Sequence, residues 1–324
     1  VTAGAGAHPI AAAFAARCAA RPLVLSGGLG SELGRRGAPL DAPLWSTAAM
    51  VARPDLVRDV HRRYVLAGAR VVVANTFRTA RHTLAKVGRA KEARALTAQA
   101  VRLAREGIAL ARPTDDDPVF VAGSIAPLED CYRPERTPDE PTRRIEHGVH
   151  VGSLVAAGVT LAWVETMPTV REAVSALEAA RAGALPAVVS FVVAPGARLL
   201  SGEPLAEAVA AVEPLSPLAI LVNCCAPPVA TEALAVLRAT TARPVGVYAN
   251  GRGQPAPDGA WSLRGGTRDR AYARAARGWH ASGARLLGGC CGTTPRTIRR
   301  LARGLARHAD GDQPPSAATS PTGP

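Results

Sequence analysis

Eight short apolar runs with helical patterns between them constrain this chain more than any other feature. They are "PLVLSG" near 22–27, "ARVVVANT" near 69–76, "PVFVAGS" near 118–124 and "TLAWVETM" near 160–167, then "AVVSFVVA" near 187–194, "LAILVNCC" near 218–225, "RPVGVYAN" near 243–250 and "ARLLGGCC" near 284–291. Each is continuously apolar rather than alternating, as in strands buried on both faces of a parallel sheet. Between them, Leu56, Val60 and Tyr64 recur every four residues, with Pro54 in a first turn and Gly68 as a stop. Val170, Val174 and Leu177 form a second helical face that ends at Gly183. After the last run, Thr294-Pro295 reads as cap and first turn, followed by the stripe Ile298, Leu301 and Leu305.

Eight strands alternating with helices predict a single-domain (β/α)8 barrel of the TIM type. The structural rival, a doubly wound open sheet, announces itself with G-x-G-x-x-G after the first strand, a spacing that "SGGLGSELG" lacks. The barrel is expected over 21–308. Residues 1–20 form an N-terminal extension in which "HPIAAAFAARCAARP" is read as a helix covering the barrel floor. That segment has no basic leader and carries an arginine, unlike a secretory signal. The Pro/Ser/Thr/Gly-rich end, 309–324, reads as a disordered tail.

The chain carries a net charge of +13, and all its basic residues except Lys86 and Lys91 are arginine. They read as scattered along helical faces, and aromatics make up 4% of the chain, so a nucleic-acid partner is not expected. No run reaches the ~18 apolar residues of a membrane span. Six cysteines in 324 residues are too few for a disulfide scaffold, which points to a reducing, cytoplasmic setting.

In a barrel of this type the chemistry lies at the C-terminal strand ends. There the sequence places Ser26-Gly27-Gly28, Asn75-Thr76, Ser124, Glu165, Asn223-Cys224-Cys225, Tyr248 to Asn250 and Cys290-Cys291. Thiols converging from two strand ends make a soft-metal site, with zinc the default ion. Gly288, Gly289 and Gly292 let the chain turn sharply enough for both Cys290 and Cys291 to face one ion. Spacing leaves Cys224 and Cys225 both open as the third ligand. Cys18 and Cys131 are read as small buried apolar residues. His147 and His150 are read as a solvated helix face, and "DDD" at 115–117 as a loop before the third strand. Glu165, a carboxylate closing an apolar run, is a candidate functional residue.

With these residues in view, the sequence resembles the homocysteine S-methyltransferase family of zinc-dependent thiol methyltransferases. "SGGLGSELGRRG", "PLWSTAAMVARPDLVRDVHRRYVLAGARVVVANTF", "GSIAPLEDCY", "VETMPTVREA", "VNC", "VYANG" and "GGCCGTTP" follow the family's order from about Leu23 to Leu301. The pairing of "VNC" with "GGCCG" is the specific part. The resemblance implies zinc held by Cys224, Cys290 and Cys291, with Cys225 at a position the family does not use. It also implies that Glu165 grips the acceptor's ammonium, that the Gly27-Gly28 turn approaches the substrate backbone, and that Trp45 and Phe77 line the methyl-donor side. The implied reaction moves a methyl group from S-methylmethionine or S-adenosylmethionine to homocysteine, giving methionine, with small molecules as the only partners. One departure stands out: the family's D-G-G begins here with Ser26. Trading a charged contact for a neutral one costs about 1–2 kcal/mol of binding. Two alternatives follow, another small thiol as acceptor, or a non-catalytic zinc-binding or redox relative in which Cys225 closes the site.

Overall fold

The structure, a computed structural model, describes residues 8–255 and 261–311. Each apolar run contains one parallel strand: β1 Leu23–Val24, β2 Val71–Ala74, β3 Phe120–Ile125, β4 Ala162–Met167, β5 Ala187–Ala194, β6 Ile220–Asn223, β7 Val245–Tyr248 and β8 Leu286–Leu287. The strands neighbour one another in chain order, and β8 pairs with β1 through Leu23↔Leu286 and Val24↔Leu287. The bridge Leu25↔Val71 and the hydrogen bond from Ser26 N to Val71 O (2.9 Å) join β1 to β2, closing the predicted barrel.

Two apolar clusters hold it together. Leu23, Leu25, Val71, Phe120, Ala122, Leu161, Trp163, Val188, Leu221 and Leu286 pack in the barrel interior. The alternate strand residues, such as Val24, Val72, Val164, Val189, Val222 and Val247, pack outward against the helices. That two-sided burial is why the runs are continuously apolar. The helix Pro9–Ala20 plugs the floor as expected: Phe14 meets Phe120 edge-on at 5.5 Å, and Cys18 is buried beside it. Asp117, in the loop before β3, ties Arg17, Arg21 and Arg70 together beneath the barrel.

Helix starts follow capping chemistry. The Thr169 and Thr294 hydroxyls each accept a backbone N–H three residues on, at 3.3 Å, opening the helices Val170–Ala182 and Pro295–Gly311. The last helix reaches Gly311, so residues 309–311 are helical rather than tail. Residues 312–324 lie outside the described residues.

One expectation is overturned. His147 and His150 do not form a solvated face: they are 1% and 2% exposed on the helix Glu140–Ala156. The helix presents Arg143, His147, His150 and Leu154 to the barrel and leaves Ile145 and Val155 outside. This inverts the usual pattern because the buried face supplies hydrogen bonds. His150 Nε2 donates to the Ser124 carbonyl (3.0 Å), and Arg143 donates to the Ser175 hydroxyl and the Pro138 carbonyl.

Candidate metal centre and active site

The thiol sulfurs of Cys224, Cys290 and Cys291 lie within 4.8 Å of one another at the ends of β6 and β8. Cys224 has a left-handed backbone (φ 53°), rare for a residue with a side chain. Cys290 is placed by its N–H to the Ala249 carbonyl (2.8 Å), and Cys291 by its carbonyl, which accepts from Gly251 N (2.8 Å). Gly292 turns the chain at φ +72°, and Thr293 Oγ1 donates back to the Cys290 carbonyl (2.7 Å). The paired cysteines therefore share a site because the strand stops and turns at them.

The donor set fits zinc. Sulfurs bound tetrahedrally at a Zn–S distance of ~2.3 Å stand about 3.8 Å apart, and Cys224 and Cys291 are separated by 3.9 Å. Three thiols this close, one buried and two half-buried, cannot all ionise without a cation. The Cys224 thiol is held well below the usual range, mainly by hydrogen bonds from Cys290 and Cys291, while those two are pushed up. Tyr132 Oη adds a hydrogen bond to Cys224 Sγ at 3.1 Å. Cys225 points elsewhere: it packs into the outer core, where burial pushes its thiol up to about 12. The backbone thus resolves the choice that spacing left open, bringing Cys224 rather than Cys225 to the cluster.

Glu165 lies at the end of β4, partly buried. It accepts from Ser124 Oγ (2.5 Å) and Tyr248 Oη (3.3 Å), yet burial raises its carboxyl to about 7. Beneath it lies a buried polar network. Tyr248 Oη accepts from Trp163 Nε1 (3.1 Å) and contacts Ser190 Oγ, which donates to Asn223 Oδ1 (2.7 Å). Asn223 Nδ2 in turn donates to Thr166 Oγ1 (2.7 Å), beside Glu165. Thr166, like Cys224, is left-handed (φ 63°). Such strain, of order 1–3 kcal/mol per residue, persists where packing over-determines a site.

Ser26 lies two residues past β1, and its carbonyl accepts from Gly289 N (3.3 Å), next to Cys290. Gly27 and Gly28 are closely packed by the chain itself. A Cβ on Gly27 would come within 2.6 Å of the Tyr64 ring, and one on Gly28 within 2.5 Å of the Cys290 carbonyl oxygen. Trp45 (φ 49°) adjoins Ser46, which exchanges two hydrogen bonds with Asn75 at 2.6 and 2.8 Å, so Trp45 and Phe77 flank one junction. The Arg78 guanidinium covers one face of the Phe77 ring at 4.9 Å.

Tyr132 closes the family-like stretch "GSIAPLEDCY" but is not singled out by the sequence, because its loop after β3 has no periodicity. That loop is pinned from below by the buried Glu172, which accepts from Leu128 N (2.8 Å) and Thr137 Oγ1 (3.3 Å) and has His147 Nε2 3.6 Å away.

Comparison with known proteins agrees with this geometry. The family described as Homocysteine S-methyltransferase matches residues 23–305. The homocysteine S-methyltransferase of Escherichia coli K12 is 32% identical over 86% of this chain and 94% of its own. The selenocysteine methyltransferase of Astragalus bisulcatus is 29% identical over 87% and 92%. The solved structure of the Escherichia coli homocysteine methyltransferase MmuM in its metallated form superposes with a TM-score of 0.76. It is 31% identical and covers 87% of this chain and 96% of its own.

Proposed function

The chain belongs to the homocysteine S-methyltransferase family, and from that premise we propose that it is a zinc enzyme methylating homocysteine to methionine from a sulfonium donor, S-methylmethionine or S-adenosylmethionine. The observation that carries the reading is the trio Cys224, Cys290 and Cys291, gathered within 4.8 Å on a barrel rim that also holds Glu165.

Zinc held by Cys224, Cys290 and Cys291 would supply a Lewis acid that favours the thiolate form of an acceptor thiol, whose ordinary pKa is near 8.5. The chain's own groups do the rest. Glu165, anchored by Ser124 and Tyr248, offers a carboxylate to the acceptor's ammonium, whose charge favours the ionised form of this reluctant acid. Ser26 and the Gly27-Gly28 turn bound the amino-acid side of the pocket. Trp45 and Phe77 face the donor, whose positive charge suits aromatic surfaces. Because Arg78 already covers one Phe77 face, the donor is left the other face and Trp45. Holding thiolate and methyl in line lowers the barrier by orientation. The new S–CH3 bond forms as the donor's S–CH3 bond breaks, and its electron pair returns to the donor sulfur, which leaves as a neutral thioether.

Ser26 supports a second reading, a different small thiol as acceptor, because serine withholds the charge the family's aspartate brings. A closed four-thiolate site is disfavoured, since Cys225 packs into the outer core. A three-thiol site needs a setting that keeps thiols reduced, which supports a cytoplasmic location.

The test is to purify the protein under reducing conditions, measure zinc per chain and assay methionine formation with each donor, with Cys291→Ser as control. One zinc per chain and turnover in the parent, both lost in the variant, are expected. Zinc without homocysteine turnover, but with turnover of another thiol, would transfer the assignment to the second reading.

A further inference from the structure

Away from the rim, folding builds a feature that the sequence reading placed among scattered charges. The helices Asp269–Ala281 and Pro295–Gly311 enclose an open cleft of about 840 Å³. Seven of its nine lining residues are arginine. Arg270, Arg274 and Arg277 come from the first helix, and Arg296, Arg299, Arg300 and Arg303 from the second, with Ala273 and Gly304 completing the lining. The helices run parallel and in register. At one end Thr297 Oγ1 donates to Asp269 Oδ1 (2.6 Å), and at the other the Arg277 side chain lies within van der Waals reach of a Cβ placed on Gly304. The two arginine stripes therefore face each other along seven residues, about 10 Å of helix.

Several arginines elsewhere have a carboxylate beside them on their own helix or at its end. Glu32 serves Arg35 and Arg36, Asp59 serves Arg62 and Arg63, Glu92 serves Arg89 and Glu106 serves Arg102. Asp269 and Asp310 are the only acidic residues in the sequences of the cleft's two helices, and Asp269 is already engaged by Thr297 and lies 3.5 Å from Arg296. Like charges three and four residues apart on a helix repel, and here two such rows face one another.

We propose that this cleft is a binding site for a short oligophosphate anion such as tripolyphosphate. Guanidinium forks match phosphate oxygens two at a time, and a phosphate chain carries enough negative charge in a small volume to answer facing rows of cations. The lining holds no aromatic side chain on which a base could stack, which favours a bare phosphate chain over single-stranded nucleic acid. The site is independent of the methyl-transfer assignment.

The test is calorimetric titration of the full chain with tripolyphosphate at 0.15 M salt, a concentration at which exposed charges are screened beyond ~8 Å. Two double variants run beside it, Arg274→Gln with Arg300→Gln and Arg274→Lys with Arg300→Lys. One anion per chain is expected, with at least tenfold weaker binding in the Gln pair and an intermediate loss in the Lys pair, which keeps charge but loses the fork. The Gln pair should melt no lower than the parent in phosphate-free buffer and should retain methyl transfer. Sulfate at equal ionic strength should not substitute. Equal affinity in parent and Gln pair, equal competition by sulfate, or absence of binding would overturn the site. Tighter binding of a single-stranded oligonucleotide of equal phosphate count would overturn the choice of ligand.

Discussion

Replacing Glu165 with Gln should stabilise the fold while disabling the acceptor site. Burial raises the Glu165 carboxyl from the usual 4.5 to about 7. Below about pH 4.5 the group is protonated in both folded and unfolded chains and costs nothing. Between 4.5 and 7 the unfolded chain releases the proton while the folded chain keeps it, so stability falls as pH rises, and above 7 the full penalty is present. At 1.36 kcal/mol per pKa unit the penalty reaches about 3 kcal/mol. Gln removes it and keeps the Ser124 and Tyr248 hydroxyls as partners, since a hydroxyl rotates to donate or accept. For a chain of this size that gain raises the melting temperature by about 4 °C at pH 8 and by about 1 °C at pH 5, vanishing only below about pH 4. Because burial is the leading cause of the shift, the trend should persist with zinc bound. The same variant should lower kcat/KM for homocysteine by roughly 100-fold, as expected for losing a charged hydrogen bond worth ~2–3 kcal/mol. Melting curves of parent and variant from pH 5 to 8 decide the matter. A difference that stays constant across that range, or a variant no more stable at pH 8, would refute the burial argument.

Three further outcomes follow from the same geometry. His61 is fully buried, both ring nitrogens lack partners, and burial lowers its pKa to about 4. Stability should fall by up to about 3 kcal/mol as pH drops from 6.5 toward 4, where only the unfolded chain takes the proton. His61→Leu should flatten that slope in acid melting curves, and an unchanged slope would place its origin elsewhere. Gly28→Ala forces a Cβ toward the Cys290 carbonyl, so a loss of about 1–3 kcal/mol and weakened zinc retention are expected. Full zinc content after chelator challenge would show that the turn does not brace the cysteine pair. Ser26→Asp restores the family's charge and should lower KM for homocysteine about tenfold with kcat little changed. No change would mean that the acceptor's ammonium does not reach residue 26.

The sequence by itself determined the barrel, because strands buried on both sides must be continuously apolar and each of the eight runs contains a strand. It also determined where chemistry gathers, since strand ends in such a barrel share one face whatever their separation along the chain. Cys224 and Cys291 are 67 residues apart, yet 3.9 Å separates their sulfurs. Spacing did not decide between Cys224 and Cys225; the family resemblance pointed to Cys224, and the tertiary structure supplies the reason, a left-handed backbone at Cys224 that spacing does not encode. Only tertiary structure buried His147 and His150, because the fold lays this helix face inward, where His150 donates to the Ser124 carbonyl of a barrel strand. The arginine cleft follows the same logic. Each stripe is visible in sequence as a polar helix face, but barrel closure sets two helices parallel and in register, and their charges combine only then. Periodicity reports what a segment does against its own axis, whereas a site depends on what faces it across space.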